Sequence, residues 1–279
     1  MEKPDVVVVV GDVNSTLACS ITAKKLNIQV AHVEAGLRSV DMTMPEEVNR
    51  IVTESISDYL FVTEKSGIDN LKAEGKPEPC IHFAGNVMID TVFFQIEKLK
   101  KGYKVKGVCE EKVRGNGYAV VTLHRPSNVD DRDTLSRIMD AMVQISKDMP
   151  IFFPIHPRTK KNLEGFHLMD KINEEDFELL PPLPYMKFLN LWKDASLVLT
   201  DSGGLQEETT TLGIPCFTIR ENTERPVILE EGTNTLVGTS KGGILSAYQT
   251  FKDQGPKKGQ IPELWDGKAA ERIVESLIR

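Results

Sequence analysis

A chain of 279 residues makes one large domain or two ordinary ones, at roughly 100–200 residues per domain. Hydrophobic residues are 40% and charged residues 27%, the balance of a globular chain with length enough for a sizeable core. Lys plus Arg number 34 against 41 Asp plus Glu, a formal charge of −7, which argues against a nucleic-acid binder held by phosphate contacts but leaves room for a local cationic site.

The chain alternates short apolar runs with helical patterns. Residues 6–10 are a continuous apolar run ending at Gly11-Asp12 and read as a strand buried on both faces. A helix is predicted over 15–25 and a second strand over 28–33, ending at Glu34. The next helix runs from Pro45, a residue suited to the first helical position, to about 57. Strands follow at 59–62 and 80–83, then a helix over 88–100. Residues 100–117 are Lys- and Gly-rich, weakly periodic, and read as a linker. The alternation then restarts with a strand at 118–123, a helix at 134–147 and a strand at 151–155. A short strand at 177–180, a helix at 185–194 and a strand at 196–200 follow. Next come a helix at 204–212 and a strand at 216–219. Residues 252–259 are polar and loop-like, and 269–278 form a closing helix. No apolar run approaches the ~20 residues of a membrane span, and the N-terminus lacks the features of a signal peptide. Cys19, Cys80, Cys109 and Cys216 are far apart, with no C-x-x-C pair, as expected of thiols in a reducing compartment such as the cytoplasm.

Strands alternating with helices imply parallel sheets with right-handed crossovers. The restart near Tyr118 favours two such domains over one long sheet. The expected division is 1–87 as a partial N-terminal domain and 88–261 as the C-terminal, nucleotide-binding domain. The helix within 262–279 is expected to pack on the first.

In open parallel sheets, ligands sit beyond the carboxyl ends of the strands. The residues directly after the apolar runs are Asp12, Glu34, His124, His156, Asp201 and Arg220. One such residue is an ordinary turn former; carboxylates from one half with imidazoles from the other form a set. In 201–208 (DSGGLQEE) a strand meets a Ser-Gly-Gly turn that opens a helix, where free N–H groups and the helix dipole suit a phosphate. Ser202 can cap the helix or bind that anion. Glu207 and Glu208 in the first turns would suit the dipole, but a Glu beside a diphosphate repels it, so one must reach further, to a ribose diol. A well-capped helix explains the same stretch. In 45–50 (PEEVNR), Glu46 and Arg50 are spaced as an i,i+4 pair, or Glu46 points into a cleft. Arg225, in a polar loop, can clamp phosphate bidentately or be a surface arginine. His32, His82 and His167 read as structural. No Walker, H-E-x-x-H or other metal-ligand spacing appears.

The segments VVVVVGDVNSTLA, AHVEAGLRS, MPEEVNR, AGNVMIDT, VTLHRPSN, FPIHPRT, LTDSGGLQEE and RENTERPV occur in this order. Together they closely resemble the non-hydrolysing UDP-N-acetylglucosamine 2-epimerase family, from Lys3 to about Gly238. The resemblance implies an α/β protein with two Rossmann-like, doubly wound domains facing a cleft (GT-B-like), the first lacking its leading strands. It implies interconversion of UDP-GlcNAc and UDP-ManNAc with no metal and no nicotinamide cofactor, a homodimer, and no nucleic-acid or membrane partner. Asp12, Glu34 and Glu46 match the family's acid/base carboxylates and His124 its catalytic histidine. Ser202, Gly203, Gly204 and Arg225 match phosphate-holding positions, Glu208 the ribose contact and Phe188 a uracil-side contact, the last also readable as helix core. Arg125 and His156 match positions near the nucleotide or an activating second UDP-GlcNAc.

The C2 proton of an N-acetylhexosamine is not next to a carbonyl carbon, so simple deprotonation is hard. Expelling UDP from C1 while a base removes the C2 proton gives 2-acetamidoglucal plus UDP. Re-addition with protonation from the other face gives the epimer. Such a route needs carboxylates near C2 and cationic or dipolar support for departing UDP. The alternatives are a hydrolysing 2-epimerase that releases ManNAc and UDP, a GT-B glycosyltransferase, and an inactive UDP-binding fragment.

Overall fold

The computed structural model describes residues 3–101, 117–172 and 177–278; the linker assigned to 100–117 and Cys109 fall largely or wholly outside them. In chain order the first elements are β1 (Val6–Val10), α1 (Asn14–Lys25), β2 (Gln29–Ala35), α2 (Pro45–Ile56), β3 (Tyr59–Val62), α3 (Lys65–Ala73), β4 (Ile81–Phe83) and α4 (Val87–Lys100). Next are β5 (Ala119–Thr122), α5 (Pro126–Val129), α6 (Arg132–Ser146), β6 (Ile151–Pro154), α7 (Pro157–Gly165), β7 (Phe177–Leu180), α8 (Tyr185–Trp192) and β8 (Leu197–Thr200). The last are α9 (Gly203–Thr211), β9 (Cys216–Thr218), α10 (Val227–Glu230), β10 (Asn234–Leu236), α11 (Lys241–Gln254) and α12 (Ala269–Leu277). The contacts divide the chain into two units. Unit 1 comprises 1–93, 224–227 and 262–279, and unit 2 comprises 94–223 and 228–261. Among the described residues no helix is long and apolar enough to cross a membrane.

Unit 1 carries a parallel sheet in the order β1-β2-β3-β4. The run at 6–10 is not buried on both faces as its composition predicts. β1 is the outermost strand, pairing with β2 alone among the described residues; Val9 packs with Val30 and Ala23 of α1, while Val8 and Val10 stay 48% and 50% exposed. On the inner strands, Ala31, Val33 and Phe61 pack with Ile273 and Leu277 of α12, whereas Leu60, Val62 and Ala35 pack with Leu71 of α3. Phe61 opposite Leu60 and Val62 shows the period-2 alternation of a strand's side chains, whereas Ala35, in step with Ala31 and Val33 by that count, joins the other cluster past the register shift between Val33 and Ala35.

Unit 2 is a six-stranded parallel sheet in the order β10-β9-β8-β5-β6-β7. Counted within the unit this is the doubly wound 3-2-1-4-5-6 order, reversing between β5 and β8. Its apolar runs are buried on both faces. Ala119, Val121, Ile151, Phe153, Leu197 and Leu199 face one layer with α6 and α11; Val120, Phe152 and Val198 face the other with Leu189, Trp192 and Leu205. The loop expected from residue 252 is helical as far as Gln254, because α11 runs to Gly255, whose φ of 79° ends it.

Candidate active site

Unit 1 gathers acidic side chains at the carboxyl ends of β1 and β2. Gly11, with φ 68°, turns the chain out of β1 and presents Asp12. Glu34 lies within β2, where the register to β3 shifts between Val33 and Ala35, and has φ 69°. A non-glycine residue held in that region costs about 1–3 kcal/mol, and such residues cluster at functional sites. The irregularity re-aims Glu34, as bulges do beside active sites. A Cβ added to Gly11 would lie 3.9 Å from Glu34 Oε2, so the Glu34 carboxylate lies beside the turn that carries Asp12.

Arg50 is the cation of this cluster. The expected Glu46–Arg50 pair does not form. Nearly buried Arg50 donates instead to Asp12 Oδ2 and Glu47 Oε2, both at 2.5 Å, and to Leu37 O at 3.0 Å. Glu47 also accepts the N–H groups of Ser39 and Val40, and Asn49 donates to Asp12 O and to Asn14 Oδ1. Glu46, one position away, is in the first turn of α2 and exposed. The structure therefore brings Asp12 and Glu34 together around Gly11, and leaves Glu46 facing solvent on the helix that carries Arg50. Arg225 groups with unit 1 and pairs with Glu224 at 3.2 Å.

In unit 2, the strand-order reversal between β5 and β8 brings together residues far apart in sequence. His124 follows β5 and Asp201 follows β8. Asp201 is fully buried and accepts His124 Nδ1 at 2.9 Å, the backbone N–H groups of His124 and Arg125, and Asn128 Nδ2. Burial alone would raise its pKa, but the His124 imidazole and these N–H groups hold it below the ordinary aspartate value. A carboxylate that accepts at Nδ1 fixes the ring and leaves Nε2 for a ligand. His124 is exposed, consistent with that role. Arg125 Nε also reaches Asp201 O. The His156 ring lies 6.1 Å from that of His124, its Nδ1 accepting the Arg158 N–H at the start of α7.

A cavity of about 200 Å³ is lined by His124, His156, Thr122, Pro182, Leu183 and Phe188, among others. Phe188 on α8 also packs against the core layer of Trp192 and Leu189. Beside β8, α9 opens at Gly203 with Ser202 before it, and the Ser202 side chain makes no capping bond. With α9 starting at Gly203, Glu207 and Glu208 lie in its second turn, and both are buried. Burial pushes the Glu208 carboxyl up to about 7, Glu207 adds to the rise, and the hydroxyl of Tyr185, donating at 2.9 Å, offsets part of it. Tyr185 was not named by sequence reasoning, and Arg50 entered it only as a possible partner of Glu46. Asp201 was visible as a strand-end residue, but its pairing with His124 depends on strand order. Among the described residues no group of three or more His, Cys, Asp or Glu side chains is arranged to hold a metal ion.

A family model described as UDP-N-acetylglucosamine 2-epimerase matches residues 1–278. The UDP-N-acetylglucosamine 2-epimerase of Methanocaldococcus jannaschii is 43% identical over 279 residues, covering 99% of this chain and 76% of the relative. A UDP-2,3-diacetamido-2,3-dideoxy-D-glucuronate 2-epimerase of Pseudomonas aeruginosa is 37% identical, covering 100% of this chain and 76% of the relative. The crystal structure of the M. jannaschii enzyme in complex with UDP-GlcNAc and UDP superposes with a TM-score of 0.84 at 43% identity, covering 99% of this chain and 76% of that one.

Proposed function

The chain belongs to the UDP-N-acetylglucosamine 2-epimerase family, and from that premise we propose that it interconverts UDP-GlcNAc and UDP-ManNAc without net hydrolysis. The reaction breaks the C1–O bond to UDP as a carboxylate removes the C2 proton. The 2-acetamidoglucal and UDP stay bound, a proton returns to C2 from the opposite face, and the UDP oxygen re-forms the bond to C1. Atoms balance with no cofactor. In this reading Asp12, Glu34 and Glu46 carry the protons. His124, oriented by Asp201, supports the departing diphosphate through Nε2. Ser202 with the N–H groups of Gly203 and Gly204 at the start of α9 holds phosphate, with Arg225 as a further donor. Glu208 takes the ribose hydroxyls, Phe188 flanks the uracil, and Arg125 and His156 lie near the nucleotide.

The observation that carries the reading is the meeting of Asp12 and Glu34 around Gly11. A glycosyltransferase needs a nucleotide site but not this pair. The crystallised M. jannaschii relative holds UDP-GlcNAc and UDP, which supports the substrate class. Free thiols at Cys19, Cys80 and Cys216 fit a cytoplasmic setting. A homodimer follows from the resemblance, and light scattering that finds one 31.1 kDa chain would overturn it.

Bond cleavage is tested with UDP-GlcNAc labelled with oxygen-18 in the C1–O–P bridge. Elimination lets the β-phosphate rotate, so recovered substrate carries label in non-bridging positions. Label that stays in the bridge during epimerisation overturns the mechanism. His124→Ala and Asp12→Asn should each slow epimerisation by about 100-fold or more.

A further inference from the structure

A buried imidazole and a buried carboxylate lie behind the two turns that carry Asp12 and Glu34. His32 on β2 and Glu54 on α2 both have fully buried side chains, with His32 Nδ1 4.0 Å from Glu54 Oε1. Each is bonded to the backbone of a different turn. His32 Nε2 lies 2.8 Å from Gly11 O, and since a carbonyl only accepts, that nitrogen carries the proton. Glu54 Oε1 accepts the Gly36 N–H at 2.6 Å, while its other oxygen pairs with Arg38. Gly11 directly precedes Asp12, and Gly36 follows Glu34 by two residues. Gly11, Glu34 and Gly36 have left-handed backbone; at Glu34 that conformation carries a cost, and at the two glycines, which reach many backbone conformations, a bond to a buried side chain fixes one of them.

A core role does not explain the imidazole. Burial holds its pKa below the usual histidine value, so the ring is neutral and its Nδ1 has no hydrogen-bond partner. An unpaired buried acceptor is unfavourable, and an apolar side chain would fill the same space without it. What the ring supplies and an apolar residue cannot is the Nε2–H bond to Gly11.

We propose that His32 and Glu54 are positioning residues, one holding the Asp12 turn and the other the Glu34 turn, so that the two carboxylates keep a fixed separation. The inference rests on the assignment of Asp12 and Glu34 as proton carriers.

The test uses the full chain with His32→Leu, His32→Gln, Glu54→Gln and Asp12→Asn, following C2 proton–deuterium exchange in UDP-GlcNAc alongside thermal melting. His32→Leu should lower kcat by about 10–100-fold with KM nearly unchanged. His32→Gln, whose amide can still donate to Gly11 O, should recover much of that loss. Glu54→Gln, which keeps an acceptor for Gly36, should lose far less than His32→Leu. A folded His32→Leu with unchanged kcat, or a loss confined to KM, overturns the proposal. Nitrogen-15 NMR of wild-type His32 gives a readout that needs neither turnover nor a stable variant. The neutral Nε2–H tautomer is expected at neutral pH, and an Nδ1–H or doubly protonated ring overturns the proposal. Asp12→Asn separates the two readings. If it exchanges at the wild-type rate, the carboxylate assignment fails. If it is slow while His32→Leu is normal, only the positioning role fails.

Discussion

Glu208 is a carboxyl whose burial holds it near neutrality, at about 7, on the helix whose first turn is proposed to hold phosphate. A ribose diol donates hydrogen bonds, so it binds the ionised carboxylate. Binding therefore favours loss of the Glu208 proton, and affinity for UDP-GlcNAc should rise with pH through about 7 and level off above it. The substrate's diphosphate has no titration there to confuse the reading. Calorimetry at about pH 6 and 8 checks this, and Glu208→Gln should bind more weakly and without the pH step. Asp201 makes a second residue-scale prediction. Asn in its place offers Nδ2 towards His124 Nδ1 and cannot stabilise an imidazolium. Asp201→Asn should lower kcat by about 10–100-fold with little change in KM; an unchanged kcat would remove Asp201 from the mechanism. Asp12, His124 and Asp201 were legible because each stops an apolar run. Their partners were not. Arg50 turns to Asp12, 38 positions away, and to Glu47, and away from Glu46; no spacing rule along α2 chooses between those two acids.

At the scale of elements, continuous apolar runs marked β5, β6 and β8, because a strand covered on both faces has no polar side to confuse the reading, whereas β10, Asn234–Leu236, carries no such run and was not foreseen. The same rule misread β1, an edge strand with one face partly open. The helices Lys65–Ala73, Pro157–Gly165 and Lys241–Gln254 escaped notice: each carries glycine, and their exposed faces are polar enough to blur the apolar stripe. The irregularity at Glu34 also left no mark in the sequence, since nothing in a run of β-formers announces a positive φ. Its support is more concrete. Gly36, with φ 86°, sits against Gly67, and an added Cβ would lie 2.4 Å from Gly67 O. Gly36→Ala should destabilise the protein by at least about 1–2 kcal/mol from the left-handed backbone alone. Because the same turn holds Glu34, activity should fall further than the lost folded fraction explains. Denaturant melts with activity normalised to folded protein test this, and a neutral substitution would remove the turn from the account.

For the molecule as a whole, the proposed division of labour assigns proton transfer to unit 1 and the UDP contacts, Arg225 apart, to unit 2. Asp12→Asn should therefore abolish turnover while leaving UDP affinity within about threefold. The central claim is that this chain moves the C2 proton and keeps the UDP–sugar bond in the product. It is tested most directly by incubating the chain with UDP-GlcNAc in deuterated water and following the C1 and C2 signals by proton NMR. The account predicts UDP-ManNAc carrying deuterium at C2, in equilibrium with deuterated UDP-GlcNAc. Release of free ManNAc and UDP, or UDP-GlcNAc recovered with its C2 proton intact, would contradict it.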